Sequence, residues 1–150
     1  MKLAEALQER ADLSHNIEQL RCRLTNNAIV QENEKPAEDP KALIRELDSS
    51  VIRLEELIRR INLTNCAVLS DGKTITELIA KKDALKMKIS VYKDLAAAAS
   101  QTARRARMTE IKILSTVDVK KLQKQIDDMS KELRITDNTI QALNWSTELL

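Results

Sequence analysis

The chain has 150 residues with one Gly, two Pro and no Phe, and 32% of it is charged at a formal net charge of +2. That length suits a single domain with a real core. Near-balanced charge supplies no global field for a polyanion, and a single Gly excludes a Gly-rich phosphate loop. A composition of Ala, Leu, Ile, Lys, Glu and Arg, almost free of helix breakers, predicts long helices.

The first helix is predicted over about Leu3 to Asn27. Its apolar stripe is Leu3, Ala6, Leu7, Leu13, Ile17, Leu20 and Leu24; Arg10 interrupts it, and Asn26 and Asn27 close it. Ile29-Val30 then reads as a very short strand. A polar connector follows in which Glu32, Glu34, Glu38 and Asp39 outweigh Lys35, for a net charge of −3. Asp39 as N-cap and Pro40 at the first helical position open the second helix, about Pro40 to Asn65. Its stripe is Leu43, Leu47, Val51, Leu54, Ile58 and Ile61, widened by Ile44 and Leu57.

Asp71-Gly72 between short apolar pieces signals a tight hairpin-like turn. Thr74-Ile75-Thr76-Glu77 is a capping box that opens a third helix running to about Ser100. Ile75, Leu78, Leu85, Ile89, Tyr92, Ala96 and Ala99 are its inward positions, and Lys82 falls on the same seam. The second connector holds Arg104, Arg105, Arg107 and Lys112 against Glu110, a net charge of +3. Its Ile111-Lys112-Ile113 alternation reads as a short strand. Ser115 or Thr116 is the expected cap of the fourth helix, with Asp118 in its first turn. That helix has the cleanest seam: Leu122, Ile126, Met129, Leu133, Thr136, Ile140 and Leu143, separated by polar residues.

Four rods of about 25 residues span about 37 Å each at 1.5 Å per residue, and a stripe that narrow needs partner helices. The expected fold is all-α: an antiparallel, coiled-coil-like bundle of four long helices, up-down or as two stacked hairpins, in one domain, residues 1–150, with a very small β element at the connector end. There Ile29-Val30 would pair with Ile111-Ile113, and the acidic connector (Glu32, Glu34, Glu38, Asp39) would meet the basic one (Arg104, Arg105, Arg107), within a chain or between chains.

Chemistry-bearing residues are sparse. The one His, His15, shares a helix side with Asp12, Glu18 and Cys22, but a di-iron bundle site needs two His and four carboxylates. A metal role would require His15 to be multiplied at an oligomer interface. No nucleophile stands out, no cofactor is implied, and Cys22 and Cys66 read as free buried or half-buried thiols. Arg104, Arg105 and Arg107 are the candidate phosphate grip for a nucleic acid, although the stacking aromatics of single-strand binders are absent. Trp145 reads as a plug on the bundle end, and Asn62, Asn65 and Asn144 as either a buried polar layer or exposed caps. No apolar run approaches the roughly 20 residues of a membrane span, and Glu5 and Glu9 stand where a signal peptide is apolar. The expectation is a cytoplasmic protein with no membrane partner.

Several stretches resemble one family: Lys2-Leu3-Ala4-Glu5-Ala6-Leu7, Pro36-Ala37-Glu38-Asp39-Pro40, Ile61-Asn62-Leu63-Thr64-Asn65, Ser115-Thr116-Val117-Asp118-Val119 and Gln141-Ala142-Leu143-Asn144-Trp145. It is a set of short, uncharacterised bacterial helical proteins sometimes labelled septicolysin, and the resemblance covers essentially the whole chain. It implies a bacterial helical protein and carries over no catalytic residue. The label names a cytolysin; the composition supports no membrane insertion. The favoured function is a self-associating interaction or scaffold protein, a homo-oligomer. The alternatives are a nucleic-acid-binding module using Arg104 to Arg107 and a metal-dependent protein using His15.

Overall fold

The computed structural model describes residues 1–101 and 111–150, with only the backbone of Leu69. The fold is all-α: four helices, α1 (Leu3–Asn26), α2 (Pro40–Ala67), α3 (Ile75–Ala99) and α4 (Val119–Ser146), and one two-stranded sheet of β1 (Leu69–Ser70) and β2 (Lys73–Thr74). The chain divides into two compact units, Met1–Leu69 with Leu143–Leu150, and Ser70–Ala142.

In the first unit α1 and α2 pack as a hairpin. Arg23 with Glu46, Asn16 with Ser50 and Glu9 with Arg53 pair in opposite order along the two helices, which makes them antiparallel. The seam buries Leu3, Ala6 and Leu20 of α1 against Leu43, Leu57 and Ile61 of α2. Each fully buried Leu or Ile contributes about 1.5–3 kcal/mol. The last residues of the chain close one end of this hairpin. Lys2 and Glu148 form an antiparallel bridge, Leu3 N donates to Thr147 O at 2.9 Å and Leu149 N to Met1 O at 2.9 Å. Leu149 is buried there, and Leu150 N donates to the hydroxyl of fully buried Thr64 at 3.0 Å.

At its other end the hairpin turns through the acidic connector. Buried Asn27 donates from its amide to Arg23 O at 2.8 Å and accepts from Glu38 N at 3.0 Å, so one side chain ends α1 and holds the returning strand of chain. Asp39 caps α2, its carboxylate accepting from Lys41 N at 3.1 Å ahead of Pro40, as the sequence predicts.

The second unit is built on α3 and on α4 as far as Ala142. Thr74 and Glu77 form the expected capping box: Glu77 N donates to the Thr74 hydroxyl at 3.2 Å and Thr74 N to the Glu77 carboxylate at 2.6 Å. Ile89 and Ala96 of α3 pack with Ile126 and Met129 of α4, flanked by Leu85, Tyr92, Leu122 and Leu133. Lys81 pairs with Glu132 at 2.6 Å and Lys82 with Asp137. Lys82, on the expected seam, is therefore a half-buried ammonium held by a carboxylate, which removes the penalty of placing it there.

Four local readings change. Neither Ile29-Val30 nor Ile111-Ile113 has strand structure; the small sheet lies at the Asp71-Gly72 turn instead. Asp71 (φ 50°) and Gly72 (φ 76°) both take the left-handed turn conformation, so this hairpin closes over two residues, whereas pairing across the sequence must close a long loop for a handful of hydrogen bonds. The cap of α4 is Asp118, which accepts from Lys121 N at 3.1 Å, while the Ser115 hydroxyl closes a local turn with Val117. Trp145 is exposed rather than a plug, and of the three asparagines only Asn144 is buried, so no polar layer forms.

Candidate interaction surface

The seams of α1, α3 and α4 all face inward: every predicted stripe position on them is buried or partly buried. Helix α2 departs from this pattern. Its buried positions are Leu43, Ser50, Leu57, Ile61 and Thr64, a stripe turned toward α1. Ile44, Val51 and Ile58, one heptad apart, form a second stripe and are 48%, 45% and 41% exposed. The sequence reading merges these two stripes into one because residues three and four apart share a helix side. Leu47 and Leu54 lie between them and are partly buried. A shallow groove of about 430 Å³ on the outer stripe is lined by Val51, Leu54, Glu55, Ile58 and Arg59.

Helix α3 carries a second stripe as well. Ala80, Ala84, Met87, Val91, Leu95 and Ala98 recur at helical spacing, and all are exposed, Met87 at 72% and Val91 at 59%. Four side chains of the opposite face (Ile75, Leu78, Ile89, Ala96) are buried in the same helix. Beyond Leu95 and Ala98 the stripe continues into a cavity of about 260 Å³ whose other walls are Ile113, Leu114, Ser115 and Thr116. A helix of a single small core has one buried stripe, whereas α2 and α3 each carry a second, solvent-facing one.

Electrostatics fasten the inner faces and leave the outer ones to solvent. Arg53 grips Glu9 with two hydrogen bonds of 2.6 and 2.9 Å and Glu56 with a third of 2.9 Å. The hydrogen bond from Arg53 holds the Glu9 carboxyl below its ordinary value against opposing desolvation, and the Arg53 guanidinium is pushed up in return. Glu132 is lowered by the hydrogen bond from Lys81, and Glu148 by those from Lys2 and the amino terminus. Asp48, Glu55 and Arg59, along the outer stripe of α2, are exposed and make no ion pair among the described residues.

The acidic connector is partly committed to its own hairpin. Glu38 accepts from Arg23 at 2.5, 3.0 and 3.1 Å, which lowers its carboxyl and raises the guanidinium, and Asp39 caps α2. Glu32 and Glu34 remain exposed. Arg104, Arg105 and Arg107 lie outside the described residues. The Arg23–Glu38 clasp and the Asn27 hook were not anticipated from the sequence; Asn26-Asn27 marked the helix end without showing which Asn turns inward. His15 is exposed, with its Nε2 3.0 Å from the Gln19 amide nitrogen, and no group of three or more His, Cys, Asp or Glu suited to a metal occurs among the described residues. Cys22 and Cys66 form no disulfide and are exposed rather than half-buried. No described helix is long and apolar enough to cross a membrane.

The comparisons with known proteins agree with an uncharacterised helical protein. Residues 10–149 match the profile described as a family of unknown function (DUF6847). A solved structure, titled a functionally unknown conserved protein from Corynebacterium diphtheriae, is 39% identical, with a TM-score of 0.90 over 100% of this chain and 99% of that one. No curated protein matches. The chain belongs to the DUF6847 family.

Proposed function

We propose that this member of a family without assigned function is a self-associating helical interaction protein. The observation that carries the reading is the pair of outer apolar stripes, Ile44–Val51–Ile58 on α2 and Met87–Val91–Leu95 on α3, on helices whose other faces are already buried. Covering such stripes removes apolar area from water at roughly 25 cal/mol per Å², and a second copy of the chain supplies matching stripes at no genetic cost.

Sedimentation velocity and light scattering at tens of micromolar test this. The expected result is a mass at least twice that of the 17.0 kDa chain, returning to the single-chain mass in Val51→Glu and Met87→Glu with helix content unchanged by circular dichroism. A monodisperse single chain for the unsubstituted protein overturns the reading.

A further inference from the structure

We propose that the cleft between α3 and α4 binds a small phosphate-bearing molecule, held by Lys86, Arg134 and Ser130. All of these residues belong to the second unit, so the site is independent of the self-association reading.

Helical spacing assembles the donors. Lys82 and Lys86 stand four residues apart on α3; Ser130, Arg134 and Asp137 stand four and three apart on α4, so each set shares one side of its helix. The two sides meet across a cleft of about 320 Å³, with Leu133 as its remaining wall. Small-molecule sites begin at about this size, in a range of about 300–1,000 Å³.

The charges on the two helices match everywhere except in this cleft. Lys81 pairs with Glu132 and Lys82 with Asp137, each a base of α3 on an acid of α4. Lys86 lines the cleft with Ser130, Leu133 and Arg134, none of them acidic. Asp137 is the one carboxylate of the lining, and Lys82 already occupies it. Lys82, Lys86 and Arg134 against Asp137 leave a surplus of two positive charges. Neither Lys86 nor Arg134 makes an ion pair among the described residues, and the half-buried Ser130 hydroxyl makes no hydrogen bond among them. Two like charges lining one cleft repel each other, and an anion between them turns that repulsion into attraction.

The donor types select the anion. A guanidinium fork takes two oxygens of a phosphate, an ammonium adds a point charge, and a hydroxyl donates to a third oxygen. A phosphate group has oxygens for all three and carries a charge of about −1.5 to −2 at pH 7, which matches the surplus. A carboxylate has one charge and two oxygens, and would leave a donor unused. Leu133 offers an apolar wall for the rest of the ligand. No aromatic side chain lines the cleft, so a stacked nucleic-acid strand fits it less well than a small molecule.

Calorimetric titration of the full-length chain at low ionic strength, with inorganic phosphate, ribose 5-phosphate and ribose as probes, tests the site. Both phosphates should bind at one per chain, and ribose should not bind. Ester binding about tenfold or more tighter than that of inorganic phosphate identifies an ester as the ligand, and equal binding identifies the free anion. Lys86→Gln and Arg134→Gln should each weaken phosphate binding by about tenfold or more, and Arg134→Lys should weaken it less than Arg134→Gln. Lys124→Gln, exposed on α4 outside the cleft, should change it by less than about twofold. Phosphate should raise the melting temperature of the unsubstituted protein and not that of Arg134→Gln, whose side chain is exposed and leaves the fold intact. Absence of saturation by either phosphate up to about 10 mM overturns the proposal. An equal loss in Lys124→Gln also overturns it, by reducing the effect to general surface charge. So does a single-stranded oligonucleotide that binds through Lys86 and Arg134 where the small phosphates do not.

Discussion

The two apolar stripes of α2 are close in composition and opposite in circumstance. The inner one, Leu43–Leu57–Ile61 with Ser50 and Thr64, is sealed against α1 and bordered by the Arg53–Glu9 clamp and the Asn16–Ser50 contact. The outer one, Ile44–Val51–Ile58, has no such border: its flanking charges, Asp48, Glu55 and Arg59, point into water. The contrast separates two uses of the same residue types. Apolar side chains that are fenced by paired polar groups hold the hairpin, and those of the outer stripe face solvent beside hydrated charges.

The sharpest way to break this contrast is to truncate the inner stripe. Leu57→Ala removes a side chain with no exposure, and the expected loss is about 2–5 kcal/mol in urea unfolding, with the native assembly mass unchanged as long as the protein is folded. A loss below about 1 kcal/mol would mean the stripe is not sealed.

Next in size is Thr64→Val, which keeps shape but removes a hydroxyl that donates to Arg60 O at 2.9 Å and accepts from Leu150 N. Leaving that amide without its partner should cost about 1–3 kcal/mol and raise hydrogen exchange in residues 147–150 ahead of the rest of the hairpin. Uniform exchange would show that Thr64 does not hold this segment.

Acid should loosen the fenced face more than the unfenced one. Glu9 and Glu38 have folded values held below the ordinary 4.5 by their arginines, so they bind fewer protons folded than unfolded at mildly acid pH. Their contribution is fully present above about pH 4.5 and is lost as pH falls through the lower folded values. The melting temperature of the unsubstituted protein should therefore fall more steeply from pH 5 to 3 than that of Glu9→Gln. Parallel curves would show that the clamp adds nothing to stability.

The smallest effect is expected at the outer stripe itself. Val51→Ala should change unfolding of the dissociated chain by no more than about 0.5 kcal/mol, since the side chain is exposed and Ala is the better helix former. A loss like that of Leu57→Ala would place Val51 in the core and remove the contrast.

Sequence alone determined the helices, because periodicity and capping are local physics. The Asp39-Pro40 and Thr74–Glu77 starts sit where side chains satisfy the first free amides, and the α4 seam from Leu122 to Leu143 is inward at every position. Tertiary structure decided which of α2's overlapping stripes meets α1. A 3.6-residue period places Leu43 and Ile44, or Leu57 and Ile58, on adjoining sides, and nothing within one helix ranks them. It also decided that Asn27 hooks Glu38 and that the small sheet forms at Asp71-Gly72 rather than between the connectors. Both outcomes depend on which chain segments are brought near one another, and that cost is set by loop closure rather than by residue preference.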